Sequence, residues 1–186
     1  MPSPPVCVQH TLEKRGGETM RLVQDYDRAA VIRYARQWAL KRNPAYYDYE
    51  KLGGDCTNFA SQCVYAGSRL MNYTPDLGWY YIDANRKAPA WTGVGYFWNF
   101  MTRSKESPGP VGVPCQAETL LPGDLVQLSF DGASFQHTPV ILSVGTPAGP
   151  DNILVAAHTY DTFGRTLASY SFQKLRYLHI LGTMRP

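Results

Sequence analysis

The chain has 186 residues, long enough for one domain with its own core, and its 44% hydrophobic and 18% charged residues are typical of a globular protein. The net charge of +3, without an arginine-rich run interleaved with aromatic residues, argues against a nucleic-acid-binding surface. No apolar run is long enough to cross a membrane or resembles a signal peptide's core, which leaves the compartment open.

The 4 cysteines are Cys7, Cys56, Cys63 and Cys115, and they include no C-x-x-C pair. Cys56 and Cys63 are two helical turns apart, too far to share one zinc ion, so we expect no structural zinc site. The even count permits disulfides, but the spacing selects no pairing.

Residues 1–24 are predicted to be a leader or the remnant of a preceding module, and residues 25–186 to be the main domain. Apolar residues of the leader alternate with polar ones before the turn signal Gly16-Gly17, which predicts a hairpin. A disordered or tag-like tail is the alternative.

The first helix is predicted from Asp27 to about residue 42, where Asn43-Pro44 ends it because the residue before a proline avoids helical angles. One face of this helix is apolar and should pack on a core. That face consists of Val31, Tyr34, Ala35, Trp38 and Ala39.

A tyrosine-rich loop leads into a second predicted helix, which begins after Gly53-Gly54 and ends near Gly67. Asp55 is a candidate N-cap, and Cys56 then stands at the first helical position. Because the start of a helix favours an anion, this position favours the thiolate and makes Cys56 a candidate nucleophile. A buried small hydrophobe is the alternative. The apolar face continues through Phe59, Ala60, Cys63 and Val64.

Residues 68–119 are crowded with aromatic side chains, and residues 92–102 are predicted to form a short aromatic helix. Residues 104–114 contain several prolines and glycines and are predicted to be a loop. The aromatic residues could line a substrate groove, but we favour an aromatic core beneath long loops, because large apolar side chains mostly pack.

From Leu121 onward the pattern changes to strands separated by hairpin-length loops, which predicts an antiparallel sheet. Helices followed by strands indicate an α+β fold. The predicted strands cover residues 124–129, 136–144, 152–158 and 176–181.

A cysteine nucleophile needs a base, and imidazole is the natural one near neutral pH. His10 lies in the leader, and His179 should face outward between two core residues. His137 and His158 lie at the ends of two neighbouring predicted strands, and one hairpin register places them opposite each other, close enough for one ring to orient the other. The same register places Ile141 opposite Leu154 and Ser143 opposite Asn152, whereas a shift by one residue would put the two rings on opposite faces.

Several separate motifs resemble a known family. A Gly-Asp-Cys helix start, a Pro-Gly-Asp-Leu-Val strand, a His-Thr-Pro-Val-Ile strand and an Ala-Ala-His strand resemble the papain-like cysteine hydrolases of bacterial cell walls, the NlpC and CHAP groups. The strings GGDCTNFASQ, MNYTPDLGWYYI, FQHTPVIL, LVAAHTYDTFGR and YLHILG more closely resemble the putative-amidase domain family, from about Tyr26 to Gly182.

This resemblance implies a papain-like fold in which the cysteine helix packs on the C-terminal antiparallel sheet. It implies that Cys56 is the nucleophile, His137 the base and His158 the third, orienting residue, with Asp161 as a rival for that third place. Asp55 is a supporting residue. The backbone N–H of Cys56 is the natural oxyanion donor, and the second donor stays open among Asn58, Tyr46 and Tyr47. No glutamine stands just before the cysteine helix, in contrast to papain.

The implied activity is cysteine-dependent hydrolysis of amide bonds in peptidoglycan, in peptide cross-links or the sugar–peptide amide, through an acyl-enzyme on Cys56. Acyl transfer at the same site and a non-catalytic wall-binding module are the alternatives. Candidate substrate-binding residues are Tyr46, Tyr47, Trp79 and Tyr80. We expect a monomer without cofactor or metal, secreted or at the cell surface if an export signal has been removed.

Overall fold

The computed structural model describes residues 20–186, so most of the predicted leader hairpin lies outside the described residues. The helices are α1 (Arg28–Trp38), α2 (Cys56–Ser68), α3 (Pro89–Thr92) and α4 (Val94–Met101). The strands are β1 (Arg21–Val23), β2 (Gly109–Cys115), β3 (Leu125–Ser129), β4 (Val140–Val144), β5 (Ile153–Ala157), β6 (Thr162–Thr166) and β7 (Lys174–Arg185).

The strands form one antiparallel sheet in the order β1-β7-β3-β4-β5-β6, and β2 pairs with the other side of β7. The first residues of β7 pair with β3 and its last residues with β1, while β2 runs along the opposite edge. The predicted α+β class with an antiparallel sheet is therefore confirmed.

The prediction that residues 104–114 form a loop is correct for residues 104–108 but wrong for the rest, because β2 begins at Gly109 and includes Pro110 and Pro114. Proline cannot donate to a strand ladder and is tolerated on an edge strand. β2 pairs only with β7 among the described strands, so it is such an edge. The prolines therefore indicated a boundary of the sheet and not a break in regular structure.

The predicted register between β4 and β5 is also wrong. Next to the connecting loop, Ser143 faces Leu154 and not Asn152, and a β-bulge between Ile141 and Ser143 then shifts the pairing so that Ile141 faces Val155. An extra residue in one strand exchanges the faces of all the residues beyond it, because side chains alternate with a period of two. His137 and His158, which lie beyond the bulge, therefore do not face each other.

The apolar faces of α1 and α2 pack against one face of the sheet, as their periodicity predicted. The contact includes Val31 and Ala35 from α1, Phe59 and Cys63 from α2, and Leu125 from β3. A second cluster covers the other face of the sheet. Its members include Val126, Leu128, Ile141, Val155, Leu167 and Tyr170. The start of α2 is thereby held against the middle of the sheet.

The Pro-Gly-Asp turn carries a buried polar anchor. The Oδ1 atom of Asp124 accepts hydrogen bonds from Arg28 Nη1 at 2.7 Å and Ile180 N at 2.9 Å, and Oδ2 accepts from Leu121 N at 2.8 Å. His179 Nδ1 lies 2.7 Å from Oδ2, and its side chain is 22% exposed between two buried residues, so the prediction that it faces outward is correct only in part. One carboxylate therefore joins α1, the start of β3 and β7.

Candidate active site

Two glycines shape the approach to α2. Gly53 and Gly54 have φ angles of 107° and 105°, a left-handed conformation that favours glycine. A Cβ atom on Gly54 would also stand 3.0 Å from Thr159 Oγ1. This turn delivers Asp55 to the N-cap position and Cys56 to the first helical residue.

Asp55 stands at the predicted N-cap position, but its side chain does not cap α2, so that part of the prediction is wrong. Its buried carboxylate instead accepts hydrogen bonds from Tyr49 N at 2.9 Å and Asn58 Nδ2 at 2.8 Å, and it lies 2.6 Å from His158 Nδ1. Arg42 Nε is 3.7 Å away. These partners hold the carboxylate beside the loop and β5, so Asp55 fixes the helix start through tertiary contacts.

Cys56 is 6% exposed, and its sulfur lies in a polar environment. The Sγ atom is 3.8 Å from both Thr57 Oγ1 and the carbonyl oxygen of Gln136, and it also interacts with the backbone N–H of Thr138. Burial nevertheless raises the pKa of the Cys56 thiol above its ordinary value, which outweighs these hydrogen bonds. The backbone N–H groups of Thr57 and Thr138 lower the pKa of Cys56, as expected near a helix start, but burial has the larger effect in the resting protein.

The sulfur lies against the backbone on both sides of His137, because Gln136 and Thr138 are the neighbours of that residue. His137 is 3% exposed and pairs with Leu128 through an isolated β-bridge. Its Nε2 atom is buried without a hydrogen-bond partner among the described residues. The structure therefore brings together the two segments that carry the predicted nucleophile and base.

His158 lies in a different network from His137. Its Nδ1 atom is 2.6 Å from Asp55 Oδ2, its Nε2 atom is 2.8 Å from the carbonyl oxygen of Trp38, and its ring stacks on Phe59 with centroids 4.2 Å apart. Both ring nitrogens face acceptors, so neither is left to orient His137. The structure places His158 as a buried connection between α1 and the start of α2.

One known protein family matches most of the chain. Residues 25–181 match the family model described as "Putative amidase domain". The chain belongs to this amidase family. Membership indicates a hydrolase that acts on amides. The resemblance to the NlpC and CHAP groups and the papain-like specifics of the fold stay predictions.

The amidase domain also matches the "Uncharacterized protein YhbB" of Bacillus subtilis (strain 168), with 34% identity over 139 residues. The match covers 74% of this chain and 42% of the relative, so the matched part of the chain spans less than half the length of that curated protein. No solved structure matches the chain.

Asp161 and Asn58 of the amidase domain are occupied by other contacts. Asp161 Oδ2 pairs with Arg42 Nη1 at 2.7 Å. Asn58 donates through Nδ2 to Tyr47 O and to Asp55, and its Oδ1 accepts from Trp91 Nε1 at 2.9 Å. Asn58 therefore has no free donor for an oxyanion, and Asp161 is held on the Arg42 side of the site.

The aromatic residues predicted to bind substrate divide into core and surface. Trp79 is 0% exposed and donates its indole N–H to Ser61 Oγ, so its predicted substrate contact is wrong. Tyr46 stacks on buried Trp91 with centroids 5.8 Å apart, whereas Tyr47 is exposed and Tyr80 is half-buried. The favoured interpretation of an aromatic core is confirmed for Trp79 and Trp91, and Tyr47 and Tyr80 stay candidates for substrate contact.

Sequence reasoning missed Tyr170. Its ring centroid lies 5.4 Å from that of His137, and its buried hydroxyl has no hydrogen-bond partner among the described residues. The Arg165 guanidinium lies over the same ring at 3.9 Å. Tyr170 follows a short helical turn after β6 with no periodic pattern around it, so nothing in the sequence pointed to a site residue.

Within residues 20–186, no group of three or more histidine, cysteine, aspartate or glutamate side chains could hold a metal ion. Among the same residues, every helix is too short or too polar to cross a membrane.

An open depression lies at the loop between β4 and β5, away from Cys56. It is lined by Glu118, Leu120 and residues 144–148.

The burial of His137 leads to a prediction for the pH at which activity is lost on the acid side. Burial, with a smaller contribution from the Arg165 charge, lowers the pKa of His137 to about 4, so the imidazole is neutral and can act as a base well below pH 6.5. We expect kcat/KM to fall on the acid side near pH 4 to 5 and not near pH 6.5.

The same pKa shift has a consequence for stability. Between about pH 6.5 and about 4 the unfolded chain binds a proton at His137 that the folded chain excludes, so the free energy of unfolding should decrease as the pH falls through this window. Chemical denaturation at several pH values checks this, with His137→Gln as the matched variant that should lose this contribution. An identical pH dependence in both proteins would contradict the prediction.

Proposed function

We propose that this amidase domain is a cysteine-dependent hydrolase of amide bonds, with Cys56 as the nucleophile and His137 as the general base. The observation that carries the proposal is the sulfur of Cys56 against the backbone on both sides of His137, whose buried Nε2 has no partner. A buried polar atom without a partner is uncommon, and a reacting group would supply the missing bond.

In this proposal the resting pair is a neutral thiol and a neutral imidazole, because burial raises the pKa of Cys56 and lowers that of His137. His137 takes the thiol proton as the sulfur attacks the carbonyl carbon, and it returns this proton to the nitrogen of the leaving amine. The C–N bond breaks and leaves a thioester. Water then attacks the thioester with His137 as base, releasing the acid and the free thiol.

Two donors are proposed for the oxyanion. The backbone N–H of Cys56 belongs to the first turn of α2, where N–H groups have no partner within the helix. The second is the hydroxyl of Tyr170, which is buried beside His137. The neighbouring Arg165 guanidinium can only donate to it, so the hydroxyl proton has no acceptor among the described residues. Burial raises the pKa of Tyr170, so the hydroxyl keeps its proton and can donate it.

Tyr170→Phe tests this assignment. Loss of the hydroxyl should lower kcat by about 10²-fold with little change in KM, because an oxyanion donor acts mainly in the transition state. Steady-state kinetics measure both parameters. Tyr177→Phe, which changes a buried tyrosine outside this site, is the control and should keep its activity. An unchanged kcat in Tyr170→Phe would remove Tyr170 from the mechanism.

The proposed substrates are amide bonds of bacterial peptidoglycan, either in peptide cross-links or between sugar and peptide. The amidase family and the resemblance of the Gly-Asp-Cys and His-Thr-Pro motifs to cell-wall hydrolases support this class. Exposed Tyr47 and half-buried Tyr80 offer aromatic surface for a sugar or peptide chain.

Digestion of purified peptidoglycan tests the proposal. The expected result is release of new amino groups, identified by mass spectrometry of the soluble fragments, and an acyl adduct on Cys56 when the reaction is quenched early. Cys56→Ala is the matched control and should give neither. Equal release by both proteins would overturn the cysteine mechanism, and binding to the wall without release would favour a binding module. An added amine incorporated into the product would instead indicate acyl transfer.

A further inference from the structure

A chain of polar side chains leads from the surface to the sulfur of Cys56. Arg176 Nε lies 3.0 Å from Gln127 Oε1, and Gln127 Nε2 lies 3.3 Å from Thr138 Oγ1. Thr138 Oγ1 is 3.1 Å from Thr57 Oγ1, which is 3.8 Å from Cys56 Sγ. All members except Arg176 are buried, so their hydrogen bonds are satisfied mainly by one another.

Arg176 determines how the amide of Gln127 is turned. A guanidinium only donates hydrogen bonds, and two of its nitrogens face Gln127 Oε1, so this atom must be the amide oxygen. The Nε2 atom of Gln127 then donates to the carbonyl oxygen of Val94 at 2.8 Å and to Thr138 Oγ1. Both N–H groups of the amide are thereby used.

The position of Arg176 is itself restrained. Its guanidinium lies between the rings of Trp98 and Phe135, at 3.8 Å and 4.0 Å from their centroids. Burial lowers the pKa of Arg176 to about 10, so the group still carries its positive charge at neutral pH. The positive charge of Arg176 is therefore held at the outer end of the hydrogen-bond chain.

The two threonine hydroxyls are oriented in sequence. Thr138 Oγ1 accepts a hydrogen bond from Gln127. The hydroxyl proton of Thr138 can then be donated to Thr57 Oγ1. Because Thr57 Oγ1 accepts this hydrogen bond from Thr138, the hydroxyl proton of Thr57 is free to be donated to Cys56 Sγ. The reverse direction would leave the buried Thr138 proton without an acceptor, which is unfavourable.

We propose that Arg176, Gln127, Thr138 and Thr57 form a directional hydrogen-bond chain that keeps a hydroxyl donor on the sulfur of Cys56. The inference deepens the proposed function, since it rests on Cys56 being the nucleophile. Arg176, Gln127 and Thr138 are positioning residues because they act through Thr57, and Thr57 is the one that touches the reacting sulfur. A hydroxyl donor stabilises negative charge on the sulfur as its proton leaves.

Other groups around the sulfur act on the same charge. The carbonyl oxygen of Gln136 accepts from the thiol and favours its protonated form, as does the negative charge of Asp55. The Thr138 N–H favours the thiolate, and Tyr170 lies close enough to interact with it. The neutral ring of His137 is the proposed acceptor of the thiol proton.

The test measures the pKa of Cys56 directly, from the pH dependence of its alkylation by iodoacetamide, with peptide mapping to separate it from the other cysteines. Thr57→Val keeps the shape but removes the hydroxyl and should raise this pKa by about one unit. The alkylation rate below the pKa should then fall by about three- to fourfold, because the greater nucleophilicity of a more basic thiolate partly offsets its smaller fraction. Thr57→Ser should restore the wild-type value.

A double substitution tests the direction of the chain. Gln127→Leu should raise the pKa of Cys56 in the wild-type background but not in Thr57→Val, since its effect passes through Thr57. Thr138→Val gives the same comparison if Gln127→Leu does not fold. Equal shifts in both backgrounds, or no shift in Thr57→Val, would overturn the proposal. The alkylation assay needs no substrate, so its outcome is independent of whether the domain hydrolyses amides.

Discussion

Alanine in place of Cys56 or His137 is expected to lower kcat/KM for amide hydrolysis by at least about 10³-fold, and the double substitution should cost little more than the worse single one. The reason is that a nucleophile and its base act as a unit, so removing either member removes most of the contribution of both. The contact of the sulfur with the residues flanking His137 is the structural basis for this expectation.

Kinetics with a soluble peptidoglycan fragment measure the three variants, and circular dichroism verifies that they are folded. Cys115→Ser is the matched control, because Cys115 is partly exposed in β2 and outside the proposed site, and its activity should be unchanged. Additive losses in the double variant would show that the two residues do not act together. Full activity in His137→Ala would remove His137 from the mechanism.

Asp124→Ala is expected to lower the free energy of unfolding by about 3–5 kcal/mol, the range for breaking a buried ion pair by removing one partner. The carboxylate is fully buried and bonded to Arg28, Leu121, His179 and Ile180. Its removal leaves the backbone N–H groups of Leu121 and Ile180 without this acceptor and removes the carboxylate that pairs with Arg28 of α1. For a chain of this length the melting temperature should fall by about 10 °C.

Urea denaturation measures this change, and Asp151→Ala is the control. Asp151 is exposed in the loop before β5, and its replacement should change the stability by no more than about 0.5 kcal/mol. A loss in Asp124→Ala no larger than that of Asp151→Ala would show that the buried anchor contributes nothing net. The Pro-Gly-Asp motif would then need another explanation than stability.

The helices were predictable because their information is local. The spacing of Val31, Ala35 and Ala39 and that of Phe59 and Cys63 placed the packed faces of α1 and α2 correctly. The Gly-Gly turn before Cys56 likewise indicated where α2 begins. Whenever one face of a helix is buried, its apolar residues recur with a period of about 3.6 residues, and this pattern is visible in the sequence alone.

The sheet was less predictable because pairing depends on residues far apart in the chain. The prolines of β2 are typical of a loop when the sequence is considered alone. They are tolerated because β2 is an edge strand that pairs with β7. The bulge in β4 carries no sequence signal that we recognised, yet it exchanged the faces beyond it and separated the two histidines. The position of Asp55 predicted that its carboxylate caps the helix, but the carboxylate instead contacts the ring of His158, which is 103 residues away in the chain.

The sequence by itself determined that a cysteine stands at the start of a buried helix and that histidines lie on strands of an antiparallel sheet. Only the tertiary structure decided which histidine segment meets the sulfur. It also supplied Tyr170 and Gln127, which lie outside the motifs, and the contact of Thr138 with Thr57. The physical reason is that local patterns specify which side chains must be buried. The register, the bulge and competition for hydrogen-bond partners specify which buried side chains meet.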